Sequence, residues 1–262
     1  MTQIGMTEQS DEQRRSFEAE AVRIVKAASD KGLALRLLGS LAFRLHCNHY
    51  GFLQKALGRA YTDIDYAGYS RQASGMGAFL KTLGYEEDYE INVLYAGQRM
   101  IFNNPENGLH VDIFFDRLNF CHEVNWSAGR LEQDKITIPL AEMFLEKMQI
   151  VRINEKDIID TMMLLLEHPW GAHDAETINL DLIAGLCSKD WGLWRTVTMN
   201  LEKVSQLSQG YSQITHEDKN KIREQVQACL DAIIQAPKST AWKFRSKIGD
   251  RVKWYQEVDE VQ

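Results

Sequence analysis

The sequence changes character at Pro139, and this change constrains the fold more than any other feature. Before Pro139, short apolar runs bounded by turn residues such as Asn107-Gly108 alternate with helical patterns, as expected of strands and helices. After it, helical patterns dominate, with no convincing strand over residues 175–235. We therefore predict an α/β (α+β) chain with two domains, an α/β domain over residues 1–139 and an α-helical domain over residues 140–262.

The hydrophobic periodicity places individual elements. Ser10 can cap a first helix over residues 11–29, which Gly32 would end. Strands are predicted over residues 33–38, 62–66, 90–95, 98–102 and 109–115, with a further short strand at 136–138. Helices are predicted over residues 41–49, 71–83, 140–149 and 155–168.

Composition excludes several functional classes. Hydrophobic residues make up 44% of the 262 residues and charged residues 26%, which is typical of a globular protein and excludes a largely disordered chain. The net charge of −7 disfavours extended nucleic-acid binding, which needs clustered Lys and Arg. The exception is the basic and aromatic stretch 238–253, which we expect to be a terminal helix that packs its aromatic side chains on the protein.

The sequence also indicates where in the cell the protein is located and whether its cysteines form a known kind of site. The first residues are polar and lack the apolar core of a signal peptide, and no run of 18 apolar residues occurs, so we expect a cytoplasmic protein with no membrane segment. None of the four cysteines has the C-x-x-C spacing of a zinc or redox site.

Three aspartates form the strongest candidate site. Asp63 and Asp65 lie two apart on a predicted strand, so both side chains point to the same face. Carboxylates this close repel each other unless a cation lies between them, and hard oxygen ligands suit Mg²⁺. Asp112 lies in an otherwise apolar strand, where an unpaired buried carboxylate would be costly. A metal ion shared with Asp63 and Asp65 would offset that cost, and a pair with an arginine such as Arg99 is the alternative.

Gly39 and Ser40 lie between a predicted strand and a predicted helix. Glycine lets the backbone approach a ligand closely, and the free N–H groups at the start of a helix attract phosphate. The Ser40 hydroxyl can add a hydrogen bond, although an ordinary turn with a serine cap is the alternative. Arg59 lies between this turn and Asp63, where it could reach a triphosphate or form a surface ion pair.

The segments LLGSLAFRL, RAYTDIDYA and HVDIFFD together resemble the DNA polymerase beta-type nucleotidyltransferase superfamily. This resemblance implies a small mixed sheet flanked by helices. It also implies that Gly39 and Ser40 hold the triphosphate of an NTP, and that Asp63, Asp65 and Asp112 bind two Mg²⁺ ions, or Mn²⁺.

The segment LEKMQIVRINEKDIIDTMMLL resembles AbiEii-like and uncharacterised bacterial nucleotidyltransferases more closely. It implies that Lys147 lies near the phosphates and Asp157 near the site, with Asp160 as its helical neighbour. Alternatively, Lys147 is an exposed, paired residue, and Asp157 and Asp160 are ordinary acids at a helix N-terminus.

The chain departs from these families in two respects. The spacer between Ser40 and Asp63 is long, which predicts an extra helix or loop over the site. Ser40 also stands where AbiEii-like toxins usually have a second glycine, so it matches the wider superfamily better. The resemblance covers residues 33–166, about half of the chain.

The resulting prediction is an enzyme that transfers a nucleoside monophosphate from an NTP to an acceptor and releases pyrophosphate. An RNA end, a protein hydroxyl and a small molecule are all open as acceptors, and the acidic chain favours a protein or a small cation over long RNA. A toxin role would imply a cognate antitoxin. The alternatives are a non-catalytic nucleotide-binding or protein-interaction member of the same fold, and an unrelated protein in which Ser40, Asp63, Asp65 and Asp112 lie far apart.

Overall fold

The computed structural model describes residues 9–127 and 129–258. The chain opens with helix α1 (Asp11–Asp30), which begins as predicted at Ser10. The Ser10 hydroxyl accepts a hydrogen bond from the Gln13 N–H, and the Gln13 side chain accepts one from the Ser10 N–H. These reciprocal bonds satisfy two N–H groups that a helix start leaves unpaired.

A five-stranded mixed sheet lies at the centre of the N-terminal part, in the order β1-β2-β5-β4-β3. Its strands are β1 (Leu35–Leu37), β2 (Asp63–Gly68), β3 (Glu86–Glu87), β4 (Arg99–Asn103) and β5 (His110–Phe115). Strands β2 and β5 are parallel, and the other neighbouring pairs are antiparallel. The sheet therefore places the two strands that carry the aspartates side by side.

Four short helices accompany this sheet: α2 (Gly39–His46), α3 (Phe52–Ala56), α4 (Ala73–Thr82) and α5 (Tyr89–Leu94). The prediction of a strand over residues 90–95 was wrong, because α5 occupies this segment. The Asp88 carboxylate caps α5 by accepting a hydrogen bond from the Ile91 N–H. Its apolar residues Tyr89, Val93 and Leu94 are exposed, so they do not mark a buried strand.

Helices dominate the chain after the hairpin of β6 (Arg117–Asn119) and β7 (Glu123–Asn125). They are α6 (Leu140–Met148), α7 (Glu155–Glu167), α8 (Leu180–Lys189), α9 (Trp191–Ser208), α10 (His216–Gln235) and α11 (Thr240–Ile248). Two-residue strands β8 (Trp170–Gly171) and β9 (Ile178–Asn179) pair within this part, too short to give a pattern in the sequence. The predicted fold class is confirmed, and the domain division at residue 139 stays a prediction.

Helix α6 joins the helical part to the sheet. All nine of its residues are buried, and the helix contacts α2, α7 and α9. Helix α3 lies in the long spacer after Ser40, where an extra element was expected, and contacts α7. The short strand predicted over residues 136–138 is reduced to an isolated parallel bridge between Thr137 and Leu37.

The basic C-terminal stretch packs its tryptophans on α9, as expected. The rings of Trp242 and Trp194 are 5.2 Å apart, and the Trp254 indole N–H donates a hydrogen bond to Thr196 Oγ1 at 3.0 Å. Phe244 differs from the prediction, because 64% of its surface is exposed. Among the described helices, none combines the length and the apolar character needed to cross a bilayer.

Candidate functional site

The predicted aspartates meet on the two central strands. In the parallel register of β2 and β5, Asp65 lies directly opposite Asp112, and Asp63 lies opposite His110. Residues two apart share a face of a strand, so all three carboxylates project from one face of the sheet. Asp63 is exposed, Asp65 is half-buried and Asp112 is buried. The carboxylates thus form a row that runs from solvent into the protein.

The turn at Gly39 lies against the same row. The Leu38 N–H donates a hydrogen bond to the Asp65 carbonyl, which fixes the end of β1 beside β2. Gly39 has a φ of +69°, and a Cβ atom there would lie 2.5 Å from Asp65 Oδ2. Only glycine therefore fits the close approach of this backbone to the Asp65 carboxylate.

Helix α2 starts at Gly39 without a side-chain cap. Leu38 precedes the helix, so Ser40 is its second residue and not its cap. The Ser40 carbonyl accepts a hydrogen bond from Gln54 Nε2. The start of α2 lies beside the Asp65 carboxylate, and the backbone N–H groups of its first turn are candidates for a phosphate site.

Glu146, which the sequence analysis did not identify, binds the first of these N–H groups. Its Oε2 accepts a hydrogen bond from the Gly39 N–H at 3.2 Å, and its side chain is buried. Burial raises the pKa of Glu146, which lies in the otherwise apolar interior around α6. Its position next to Lys147 in a buried helix was the only signal in the sequence.

Asp65 lies in the most negative surroundings of the three aspartates. Burial raises its pKa well above the ordinary value, and the nearby carboxylates of Asp63, Asp112 and Glu146 raise it further. Asp63 receives a hydrogen bond from Thr62 Oγ1 at 2.8 Å. Within the described residues, neither Asp63 nor Asp65 forms an ion pair, so their charges are available to a cation.

Asp112 has the arginine partner that was the alternative to a metal ion. Arg99 Nε lies 2.9 Å from each oxygen of the Asp112 carboxylate. Burial raises the pKa of Asp112, and the guanidinium of Arg99 acts against this increase. The Arg99 guanidinium also lies 5.2 Å from the centre of the Phe114 ring.

Lys147 is buried among carboxylates and is not an exposed residue. Its Nζ lies 3.2 Å from Asp157 Oδ1, 3.3 Å from Asp160 Oδ2 and 3.4 Å from Glu146 Oε1. Burial lowers the pKa of Lys147, but these three carboxylates outweigh it and raise the pKa above its ordinary value. Lys147 is therefore a permanent cation within a group of net negative charge.

Arg59 and Asp160 lie behind Lys147. Arg59 Nη1 is 2.9 Å from Asp160 Oδ2 and donates a hydrogen bond to the Lys156 carbonyl. Gln54 Nε2 donates a hydrogen bond to Asp160 Oδ1 at 2.8 Å. Neither Arg59 nor Asp160 lines the cleft described next, so both support Lys147 from the interior.

A cleft of about 610 Å³ opens beside Asp65 and Lys147, and its volume is within the range of roughly 300–1000 Å³ typical of ligand sites. Gly39, Asp65, Glu146, Lys147 and Asp157 line it, whereas Ser40, Asp63 and Asp112 do not. The C-terminal residues 255–258 form part of its wall, and the Gln256 N–H donates a hydrogen bond to the Cys121 carbonyl. The sequence contained no motif that connected these terminal residues to the site.

The carboxylates fit a divalent cation only in part. Asp63 and Asp65 offer unpaired oxygen donors on one face, which suits Mg²⁺ or Mn²⁺. Both oxygens of Asp112 are already bound by Arg99. In residues 9–127 and 129–258, no group of three or more His, Cys, Asp or Glu side chains is arranged to hold a metal ion.

Comparisons with known proteins give little further information. No family model and no curated protein matches the chain. Among solved structures, the chain is similar to the solution structure of the antibiotic-resistance factor ANT(2'')-Ia, with a TM-score of 0.40 and 12% sequence identity. The match covers 66% of this chain and 94% of ANT(2'')-Ia.

Proposed function

We propose that this protein is a nucleotidyltransferase that transfers a nucleoside monophosphate from an NTP to an acceptor, with Mg²⁺ or Mn²⁺. The main support is the parallel register that sets Asp65 opposite Asp112, with Asp63 beside them, next to a turn that requires Gly39. The sequence motifs that resemble the DNA polymerase beta-type nucleotidyltransferases lie on this combination of strand, glycine turn and helix.

Different residues bind the triphosphate and remove the proton of the acceptor. The N–H groups of α2 that follow Gly39 and the Ser40 hydroxyl would bind the triphosphate, and Asp63 and Asp65 would hold the cation. A bound Mg²⁺ neutralises the charge of the triphosphate and of the leaving pyrophosphate. The acceptor oxygen bonds to the α-phosphorus, the bond to the α–β bridging oxygen breaks, and the acceptor proton leaves through Asp112, directly or through water.

Lys147 and Asp157 form the wall next to the phosphates. Lys147 faces the cleft and supplies the positive charge that the resemblance implies, while Asp157, Asp160 and Glu146 hold its ammonium group in place. Because the Arg59 guanidinium is paired with Asp160, it does not bind phosphate directly in this proposal. Its role in our proposal is to keep Asp160, and through it Lys147, in position.

The charges of the cleft favour a cationic acceptor. Its walls carry four carboxylates and two cationic side chains, namely Asp65, Glu146, Asp157 and Glu257 against Lys147 and Arg152. Once a cation has neutralised the bound triphosphate, such a surface repels the phosphate backbone of an RNA acceptor and attracts a small cation or a basic protein segment. We therefore rank these acceptors ahead of an RNA end. An AbiEii-like toxin role, with a cognate antitoxin, stays a prediction.

Thermal unfolding with each of the four NTPs and Mg²⁺ tests the proposal. At 100 times its Kd a ligand stabilises the folded state by about 2.7 kcal/mol, which raises Tm by roughly 5–10 °C for a chain of this size. We expect such a shift with at least one NTP, and its loss in Asp63→Asn/Asp65→Asn.

The matched control is Asp30→Asn/Asp181→Asn, which removes two exposed aspartates outside the site. It should keep the full shift. The absence of a Tm shift with every NTP in the wild type would contradict the proposal.

A non-catalytic nucleotide-binding protein is the second candidate, favoured by the pairing of Asp112 with Arg99. It predicts the same Mg²⁺-dependent Tm shift, but no release of pyrophosphate with any cationic or protein acceptor. A screen of acceptors with the NTP that gives the largest shift separates the two candidates.

A further inference from the structure

Asp112 is paired with Arg99, and this distinguishes it from Asp63 and Asp65. Its guanidinium binds both oxygens of the Asp112 carboxylate, at 2.9 Å from Nε, in the side-on geometry that arginine forms with carboxylates. Neither of the other two aspartates is paired with a cationic side chain in the described residues. The row of three carboxylates is therefore one-third neutralised before any metal ion binds.

The structure also holds Arg99 in this position. Arg99 lies on β4 opposite Phe114, which is two residues after Asp112 and thus on the same face of the sheet. The guanidinium stacks near the rings of Phe114, at 5.2 Å, and Tyr95, at 5.9 Å. Because Asp112 is only 4% exposed, separating the pair would leave a buried charge without a partner.

We infer that Arg99 takes the place of a second metal ion, so that the site binds one divalent cation, held by Asp63 and Asp65. With both oxygens of Asp112 bound by Arg99, only Asp63 and Asp65 remain in the row as oxygen donors, and one divalent ion balances their two negative charges. A second ion would need an oxygen of Asp112 and would lie beside the guanidinium, where the two positive charges repel each other. This inference rests on the proposed function and changes the number of ions that the sequence predicts from two to one.

The number of bound ions can be counted without measuring catalysis. Mn²⁺ binding is followed by electron paramagnetic resonance, with the full-length protein in excess over an α,β-methylene analogue of the preferred NTP. We expect one Mn²⁺ per complex in the wild type and two in Arg99→Met, where Asp112 is released. Arg99→Lys keeps the positive charge, so it should bind one ion like the wild type.

Arg117→Met is the matched control. Arg117 lines the neighbouring part of the surface with Arg99, but pairs with the exposed Glu123 and does not contact an aspartate of the row. It should bind one Mn²⁺.

The outcomes separate this inference from the proposed function. Two ions in the wild type would overturn the inference and leave the nucleotidyltransferase intact. One ion in a folded Arg99→Met would show that Arg99 does not exclude the second ion. Binding of neither Mn²⁺ nor the analogue would overturn the proposed function itself.

Discussion

Arg130 and Arg99 bind carboxylates in different surroundings. Arg130 binds Glu142 at 2.9 Å and Asp174 at 2.8 Å, and so connects the turn before α6, α6 itself and the loop before β9. Arg99 binds only Asp112, and it does so beside the unpaired carboxylates of Asp63 and Asp65. We call these the Arg130 cluster and the Arg99 pair.

The Arg130 cluster and the surroundings of the Arg99 pair differ in how many cationic side chains accompany their carboxylates. In the Arg130 cluster, each carboxylate has a cationic partner, and Arg130 lowers the pKa of Asp174 by a direct hydrogen bond. Next to the Arg99 pair, carboxylates outnumber cations, and the pKa of Asp65 is raised by burial and by its acidic neighbours. In our proposal the first arrangement stabilises the fold, whereas the second leaves the carboxylates of Asp63 and Asp65 without a cationic side chain, so that a bound cation can take its place.

The largest effect that we expect comes from breaking the Arg130 cluster. Arg130→Met leaves Glu142 buried without its partner, which should lower the free energy of unfolding by about 3–5 kcal/mol. Urea denaturation measures this loss, and NTP binding at low temperature should not change. Arg117→Met, which breaks an exposed pair with Glu123, should cost less than about 1 kcal/mol. Equal losses in the two variants would contradict a structural role for the cluster.

A second effect should appear at Asp65 and concern binding instead of stability. Asp65→Asn removes a cation ligand, so we expect the affinity for the Mg²⁺–NTP complex to fall more than about 100-fold, beyond the usual cost of losing a supporting residue. The same change relieves repulsion with Asp63 and Glu146, so Tm should rise. Calorimetric titration and thermal unfolding check the two results.

Glu142→Gln, in the Arg130 cluster, should behave in the opposite way. Its Tm should fall while its NTP affinity remains that of the wild type. If both variants lost affinity to the same extent, the division between the two groups of charges would be wrong.

A smaller effect is expected at the turn that borders the site. In Gly39→Ala the new Cβ meets Asp65 Oδ2 in addition to the strain of a positive φ, so stability should fall by about 1–3 kcal/mol and NTP affinity should fall with it. Gly84→Ala shares a positive φ, +84°, but has open space around its Cβ. It should lose stability alone, and lost NTP affinity in Gly84→Ala would point to a general effect of strain.

The smallest effect concerns pH. Arg130 lowers the pKa of Asp174 in the folded protein, so the unfolded chain binds the proton more tightly. The stability that this carboxylate contributes is complete above its ordinary pKa of 3.8 and is lost as pH falls through the lowered value. As pH falls from about 5 to about 2, urea midpoints should therefore fall less steeply in Asp174→Asn than in the wild type. Parallel curves would show that Asp174 adds no acid sensitivity.

Several features were readable from the sequence because they depend on local geometry. The period of two along a strand places Asp63 and Asp65 on one face, and an isolated aspartate among apolar residues identifies Asp112 as unusual. The segment over residues 90–95 was misread, since a short apolar run fits a strand or a helix and the Asp88 cap decided the outcome.

The sequence by itself identified Asp63, Asp65, Asp112 and Lys147 as candidate charged residues of a site and Gly39 as the glycine of a turn beside it. Only the tertiary structure decided which partner each charge has. Glu146 binds the N–H of Gly39 from 107 residues away, and Asp160 meets Gln54 across 106 residues. Such pairings follow from how α6 and α7 pack against α2 and α3, and a local pattern contains no information about that packing. The Arg99 pair illustrates the limit most clearly, because the sequence allowed both an arginine and a metal ion as partners of Asp112, and only the register of β4 on β5 shows that Arg99 reaches this carboxylate.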